Sequence, residues 1–211
     1  MAFRLDDLDA RTRSSIAAYD GNARRYQEAL RLRRPAADVR RFTAFAEHDA
    51  LVLDAGCGPA SDLRLLRDAG VHPVGVDLSM GALREARMLL PRHPLVRASF
   101  TDLPFGDGVF GGLWLSSAFT HLARDQWRAA FVGLLRHLGT GPVHFSCYRG
   151  TVDLVPVTDE LLGDVHVSAA TEDEVAQMFA ERGLEDVTVE VRPDPIHDRR
   201  RPWVVALGVR R

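Results

Sequence analysis

The feature that most constrains this chain is a buried-strand pattern that runs directly into a glycine-rich turn. Residues 51–56 form a continuous apolar run that ends in Asp54 and Gly56, and such runs are typical of strands covered on both faces of a parallel sheet. Gly58 follows, and a helix pattern begins at about residue 60. Glycines at such a turn let the backbone approach a ligand closely, and the helix start offers unpaired N–H groups. The segment therefore predicts a ligand site at the carboxyl end of the first strand.

A second carboxylate follows the next apolar run along the chain. Residues 71–77 end in Asp77, which lies 23 positions after Asp54. In Rossmann-type folds, a carboxylate at the end of the second strand accepts hydrogen bonds from ribose hydroxyls. The two runs and their spacing therefore predict a ligand that contains a nucleoside.

Strand and helix patterns continue to alternate as far as a pair of strand patterns at the carboxyl end of the chain. Ser79 is placed to cap a helix over 80–90, and Thr171 with Glu174 has the spacing of a capping box. This order predicts an α/β fold with a doubly wound, mostly parallel seven-stranded sheet and a C-terminal antiparallel hairpin. Residues 149–170 are predicted to be an acidic loop that walls a ligand cavity. The other strand patterns cover 95–99, 108–117, 142–148, 184–192 and 202–211, and the other helix patterns cover 5–32, 36–48, 60–69, 124–138 and 172–182.

Composition restricts the class of protein. A chain of 211 residues, 46% hydrophobic and 27% charged, is long enough for one domain with a full core. The formal net charge of -2 disfavours a protein that wraps duplex nucleic acid, and no apolar run approaches the ~20 residues that span a bilayer. The start of the chain lacks a secretory signal pattern, and the two cysteines form no disulfide framework. We therefore predict a cytoplasmic protein with no membrane or nucleic-acid partner.

The sequence VLDAGCGPASDLRLL, followed by VGVDLS, resembles the first two motifs of class I S-adenosylmethionine-dependent methyltransferases. The resemblance extends over about residues 50–147. NAD-binding Rossmann domains more often carry a G-x-G-x-x-G turn, whereas here Gly56 and Gly58 are followed by Ala60 in the position of a third glycine. The alanine is a mild change if residue 60 is already helical, and it is strained if that residue needs a positive φ.

The resemblance implies S-adenosylmethionine as the cofactor and indicates the residues that bind it. The usual adenine-contacting acid falls on Ser99, with the backbone N–H of Phe100 beside it, and Asp102 is the alternative contact. His121, in the family's His-Leu pair after the fourth strand, is the first candidate for a catalytic base. The predicted cofactor-binding residues are Asp54, Gly56, Cys57, Gly58, Asp77, Leu78, Ser99, Phe100 and Ser116, and the predicted substrate residues are Tyr19, His144 and Tyr148.

The helices ahead of the first strand often cover the cofactor in this family. Residues 1–48 are therefore predicted to form an N-terminal helical lid region, and residues 49–211 the Rossmann-like domain that binds the cofactor. A chain of 211 residues fits one domain, so we expect the two parts to form a single structural domain.

The implied function is transfer of a methyl group to an O or N atom of a small-molecule acceptor, with secondary metabolism as one setting. No Asn/Asp-Pro-Pro-Tyr/Phe motif or Pro-Cys pair occurs, and Asn22 is the single asparagine, so the Asp-Asn metal pair of catechol-type enzymes is absent. No residues have metal-ligand spacing, and no metal is predicted. Three alternatives remain open: a non-methylating enzyme that uses S-adenosylmethionine, an NAD-dependent oxidoreductase, and a non-catalytic protein that binds the cofactor and a protein partner.

Overall fold

Parallel strands from the middle of the chain form the sheet on which the other elements pack. A computed structural model describes residues 8–30, 35–193 and 202–211. The strands are β1 (Leu51–Ala55), β2 (His72–Asp77), β3 (Leu95–Arg97), β4 (Gly112–Ser116), β5 (Gly141–Arg149), β6 (Val155–Asp159), β7 (Gly163–Val167), β8 (Ala169–Ala170), β9 (Glu185–Arg192) and β10 (Trp203–Arg210). The helices are α1 (Ala10–Leu30), α2 (Ala36–Thr43), α3 (Ser61–Asp68), α4 (Met80–Leu89), α5 (Arg124–Arg136) and α6 (Glu172–Ala180), with a turn of 3₁₀ helix at Ala118–His121.

The order of the strands determines where a ligand can bind. The main sheet runs β3-β2-β1-β4-β5-β10-β9, and the short β8 pairs with β5. Strands β1 to β5 pair in parallel, whereas β10 is antiparallel to both β5 and β9. The chain builds outwards from β1 to β3 and then returns to the other side of β1 with β4, which leaves a crevice at the carboxyl ends of β1 and β4. The predicted doubly wound sheet with an antiparallel terminal pair is confirmed.

Both faces of the sheet are covered by helices. Leu113 and Phe145 pack with the buried side chains of α5 and α6. Trp114 and Leu207 belong to a separate cluster that includes residues of α2 and α3. Burial on both faces explains why the strands of the first half of the chain are continuous apolar runs.

The prediction of a loop over 149–170 is wrong for most of that segment. Strands β6 and β7 form an antiparallel hairpin there, and Val165 and Val167 pack in a cluster with Tyr19 and Tyr26 of α1. Valines recur at every second position in both strands, at 155 and 157 and at 165 and 167, which is the period of a half-buried strand. Each strand is only five residues long, and the acidic residues in the segment conceal this short pattern.

The helix boundaries follow their capping residues. The Ser79 side chain accepts a hydrogen bond from the backbone N–H of Ala82, and Thr171 and Glu174 form both bonds of a capping box, so both predicted caps are confirmed. The predicted helix 5–32 is one helix, α1, and residues 5–7, 31 and 32 lie outside the described residues. The predicted helix 36–48 ends at Thr43. Within the described ranges, no helix has the length and apolar character that a membrane crossing requires.

Candidate active site

A cavity of about 180 Å³ lies at the carboxyl ends of the parallel strands. The turn after β1, the end of β2, the segment after β3 and the 3₁₀ helix after β4 line it, and one side of α1 covers it. The structure thus brings together side chains from five separate parts of the chain. All nine predicted cofactor-binding residues line this cavity: Asp54, Gly56, Cys57, Gly58, Asp77, Leu78, Ser99, Phe100 and Ser116.

The glycine turn brings its backbone to the cavity wall. The N–H groups of Gly56 and Cys57 donate to the carbonyl oxygen of Val76 at 2.8 and 3.0 Å, which ties the turn to β2. Gly58 has a φ of +52°, and a Cβ added there would meet no protein atom within 4 Å. The turn therefore leaves open space beside an exposed backbone, as a site for a close-fitting ligand requires.

Ala60 has the conformation that a glycine would adopt most easily. Its φ is +67° and ψ is +27°, at the N-cap of α3, and the residue is fully buried. The third position of the turn therefore does need a positive φ, and the alanine is strained there.

Asp77 is held in a fixed orientation at the cavity wall. One carboxylate oxygen accepts from the N–H of Gly58 and the other from the N–H of Ser79, each at 2.8 Å. Burial raises the pKa of Asp77 above its usual value, and the N–H donors of Ser79 and Gly58 partly offset this rise. The oriented carboxylate retains lone pairs that can accept hydrogen bonds from a diol. Asp77 and the open turn therefore fit the ribose-containing part of S-adenosylmethionine.

The segment after β3 favours one of the two predicted adenine contacts. Ser99 is buried and lines the cavity, and its hydroxyl lies 2.6 Å from that of Thr101. Phe100 also lines the cavity and stacks on Phe119, with the ring centroids 5.4 Å apart. Asp102 is exposed and is not part of the cavity wall. Ser99 lies at the cavity wall, where a contact with adenine would require it. Its role in adenine binding stays a prediction.

His121 and Tyr19 meet at the side of the cavity that α1 covers. The Tyr19 hydroxyl lies 3.1 Å from His121 Nε2, and the two rings make an edge contact with centroids 5.3 Å apart. His121 Nδ1 lies 2.7 Å from the carbonyl oxygen of His166 on β7. Both side chains line the cavity, so the predicted catalytic residue and one predicted substrate residue are in direct contact.

The other two predicted substrate residues lie elsewhere. His144 is buried against Trp114, with parallel rings 3.8 Å apart, on the face of the sheet that α2 covers. Tyr148 packs on Trp203, with ring centroids 4.4 Å apart. Neither residue lines the cavity. The direction of a strand side chain is set by its register with the neighbouring strand, here the pairing of His144 with Trp114, and one sequence does not reveal that register.

Asp20 belongs to the site region although no sequence motif indicates it. One oxygen of its carboxylate accepts from the Ser79 hydroxyl at 2.6 Å and from the N–H of Gly81 at 2.7 Å. This contact joins α1 to the N-terminus of α4, directly beside Asp77. The glycine at position 81, in the first turn of α4, is the one sequence feature that fits this contact. A Cβ there would lie 2.6 Å from the backbone oxygen of Asp20, so the close approach of α1 needs a glycine.

The cysteines and acids do not indicate a thiolate or metal site. Burial raises the pKa of Cys57 well above its usual value and that of Cys147 to about 12, so both thiols stay protonated at neutral pH. Among the residues that the structure describes, no group of three or more His, Cys, Asp or Glu side chains could hold a metal ion.

The strand order, the glycine turn and the acid at the end of β2 together define a Rossmann-like α/β protein with a nucleoside-binding cavity. Residues 52–141 match the family described as "Methyltransferase domain". Over these residues the chain is similar to the class I S-adenosylmethionine-dependent methyltransferases.

Similar proteins agree with this family but differ in their acceptors. A malonyl-[acyl-carrier protein] O-methyltransferase of Pseudescherichia vulneris is 36% identical over 106 residues, which is 50% of this chain and 42% of that protein. The enzyme with the same description from Enterobacter lignolyticus is 35% identical over 127 residues, 60% of this chain and 50% of that protein. The matched region thus spans half or less of these curated relatives. A solved structure of Burkholderia thailandensis 1,6-didemethyltoxoflavin-N1-methyltransferase, with its substrate and S-adenosylhomocysteine, superposes with a TM-score of 0.70 at 17% identity, over 96% of this chain and 91% of that one.

Proposed function

We propose that this chain binds S-adenosylmethionine in the cavity and transfers its methyl group to an O or N atom of a small-molecule acceptor. The observation that carries the proposal is the meeting of Gly56, Gly58, Asp77 and Ser99 around one cavity at the point where the strand order reverses. A match to the methyltransferase family over the same strands supports it.

Each part of the cavity wall has a role in this proposal. Asp77 would accept hydrogen bonds from the ribose hydroxyls, and Ser99 with the backbone of Phe100 would contact adenine. The cofactor supplies a methyl group that is already activated on a sulfonium, so the protein contributes mainly position and electrostatics. Cys57 would act as a small packing residue in the turn, because its thiol stays protonated.

The acceptor end of the cavity is formed by α1 and the 3₁₀ helix. Thr12, Ile16 and Tyr19 of α1 line it, together with His121 and Leu122. These side chains combine apolar surface with neutral hydrogen-bonding groups, a mixture typical of small-molecule sites. In the proposal, residues 1–48 act as the lid region and α1 completes the site.

The comparisons support methyl transfer and leave the acceptor atom open. One similar protein is named for O-methylation and the structural neighbour for methylation at nitrogen. The aligned curated relatives act on an acyl group carried by a protein, so a carrier-bound acceptor is the second candidate. A place in secondary metabolism and a cytoplasmic location stay predictions.

Titration calorimetry and a labelling experiment test the proposal. We expect S-adenosylmethionine and S-adenosylhomocysteine to bind with micromolar Kd, and NAD to produce no binding heat. The protein is then incubated with S-adenosylmethionine labelled on its methyl group and either bulk protein and RNA or a small-metabolite extract of the source organism. Label that enters only protein or RNA, or binding of NAD alone, would contradict the proposal.

A further inference from the structure

The backbone of β7 sets the protonation pattern of the His121 ring. His121 Nδ1 lies 2.7 Å from the carbonyl oxygen of His166. A carbonyl oxygen can only accept a hydrogen bond, so Nδ1 carries the hydrogen and the neutral ring has its lone pair on Nε2. The Tyr19 hydroxyl, 3.1 Å away, is therefore the donor to Nε2.

Tyr19 consequently presents an oxygen that can accept a proton. Its own hydrogen points to His121, so in its hydrogen bond with Tyr26 the Tyr19 oxygen is the acceptor. One lone pair of the phenol oxygen is left for a ligand in the cavity that Tyr19 lines. An edge contact with Tyr26, at 5.2 Å between ring centroids, helps to hold the ring in place. A ligand in the cavity can therefore contact the Tyr19 phenol oxygen, which in turn contacts His121 Nε2.

We propose that Tyr19 is a catalytic residue that takes the proton of an acceptor O–H while its own phenol proton moves to His121 Nε2. The inference rests on the proposed function and goes beyond it by naming the acceptor class, an alcohol or a phenol. The oxygen's electron pair forms the bond to the methyl carbon, and the electron pair of the broken C–S bond stays on sulfur. The acceptor proton ends on Tyr19 and the Tyr19 proton on His121, so the sulfonium's positive charge is replaced by that of an imidazolium.

The pKa shifts of Tyr19 and His121 favour a proton relay over a deprotonated tyrosine. Burial raises the pKa of Tyr19 well above its usual value, so the phenol keeps a proton at neutral pH. Burial also lowers the pKa of His121, against an opposing effect of the His166 carbonyl, so the imidazole is neutral and able to accept. The charged or titratable groups that face His121 are Tyr19 on α1 and Asp159 and His166 on the hairpin.

The same geometry distinguishes hydroxyl acceptors from carboxylates. A hydroxyl can donate its hydrogen to the Tyr19 oxygen, and it needs to lose a proton during the transfer. An ionised carboxylate brings no proton, and its lone pairs would face the lone pairs of the phenol oxygen. We therefore expect methyl ethers as products, in contrast to the methyl ester that O-methylation of a carboxyl group yields.

The chemistry of the labelled product tests the acceptor class. The small-molecule products formed from methyl-labelled S-adenosylmethionine are treated with mild base, which releases methanol from esters, and separately with hydriodic acid, which releases methyl iodide from ethers. Label that resists base and leaves as methyl iodide is expected. Label lost to base, or label retained through both treatments as N-methyl groups, would overturn this inference while leaving the proposed function intact. No label in any small molecule would instead refute the proposed function.

Variants of the two residues test the relay itself. Tyr19→Phe keeps the ring and removes the hydroxyl, and His121→Asn keeps a donor that can reach the His166 carbonyl. Each should reduce formation of the labelled ether by about 100-fold or more and leave the Kd for S-adenosylhomocysteine within about twofold. Tyr148→Phe is the matched control, because it removes a hydroxyl from a tyrosine outside the cavity, and it should retain activity. Wild-type turnover by Tyr19→Phe would contradict the relay.

Nitrogen-15 NMR of the histidine rings supplies a readout that does not depend on turnover. In the complex with S-adenosylhomocysteine, His121 should show the tautomer with hydrogen on Nδ1. In Tyr19→Phe its pKa should rise by roughly half a unit or more, because the neutral ring loses a hydrogen bond that stabilised it. Hydrogen on Nε2, or an unchanged pKa in the variant, would show that Tyr19 does not donate to this ring.

Discussion

Among the side chains of the cavity, Asp77 has the most specific predicted role, which is to accept hydrogen bonds from the ribose. Its two oxygens are already oriented by the N–H groups of Gly58 and Ser79. Asp77→Ala should weaken binding of S-adenosylmethionine by ~1.5–3 kcal/mol, because hydrogen bonds to a charged acceptor are lost. Asp102→Ala, which removes an exposed carboxylate near the same cavity, is the control and should bind as the wild type does. Calorimetry on folded variants decides, and equal affinity for Asp77→Ala and wild type would refute its assignment to the ribose.

Single residues near the glycine turn could be predicted from the sequence because a short motif fixes their positions. The turn residues and Asp77 follow strand ends that lie side by side in any doubly wound sheet. The contact between Tyr19 and His121 joins residues 102 positions apart, and no local pattern encodes it. The predicted cavity position of Tyr148 is wrong for a related reason, since the direction of its side chain depends on how β5 pairs with its neighbours.

At the scale of elements, the start of α3 contains an alanine in a left-handed conformation. Ala60→Gly relieves the backbone strain, and this gain of ~1–2 kcal/mol is offset by the lost methyl burial and by the greater entropy of the unfolded chain. The free energy of unfolding should therefore change by less than about 0.5 kcal/mol.

A second buried alanine provides the comparison for Ala60. Ala86 lies within α4 and is also fully buried. Ala86→Gly should destabilise the protein by ~1.5–2 kcal/mol, because a helical glycine and a lost methyl both act in the same direction. Urea denaturation of both variants measures the difference, and equal losses would show that residue 60 is not strained.

The packing of α1 on α4 depends on the absence of a side chain at Gly81. A Cβ there would lie 2.6 Å from the backbone oxygen of Asp20, so Gly81→Ala should push α1 away at a cost of ~1–3 kcal/mol. We expect faster amide hydrogen exchange in α1 and faster dissociation of S-adenosylhomocysteine. Gly133→Ala, in α5, is the matched control because its Cβ would meet nothing within 4 Å. Unchanged exchange in the Gly81 variant would mean that α1 is not held at this point.

The elements with long or capped patterns were predictable, and the short ones were not. Ser79 and the capping box of α6 are visible in the sequence because a cap depends on residues within one turn. The β6–β7 hairpin has five residues in each strand and gains its stability from packing against α1. That contact lies far away along the chain, so the local sequence alone did not identify the hairpin.

At the scale of the whole molecule, His121 links stability to pH. Burial holds its pKa below the usual value of 6.5 in the folded protein. As the pH falls below 6.5, the unfolded chain takes up a proton at this histidine before the folded protein does, so the free energy of unfolding decreases. The His121→Asn variant should lack this contribution to the fall in the free energy of unfolding, in the range between pH 6.5 and the lower pKa of His121 in the folded protein. Urea denaturation at several pH values measures it, and parallel curves for variant and wild type would contradict the prediction.

The region matched by the methyltransferase family runs from residue 52 to residue 141. It contains one part of the cavity wall and excludes another. The turn after β1, the end of β2 and the 3₁₀ helix lie inside it, whereas α1 and the β6–β7 hairpin lie outside. Substitutions of the α1 side chains that line the cavity, such as Thr12 and Ile16, can therefore reshape the space for the acceptor while the residues of the glycine turn and the end of β2 keep their sequence. A new acceptor preference could thus evolve, or be engineered, through a few side chains on one face of α1, on an unchanged Rossmann-like frame.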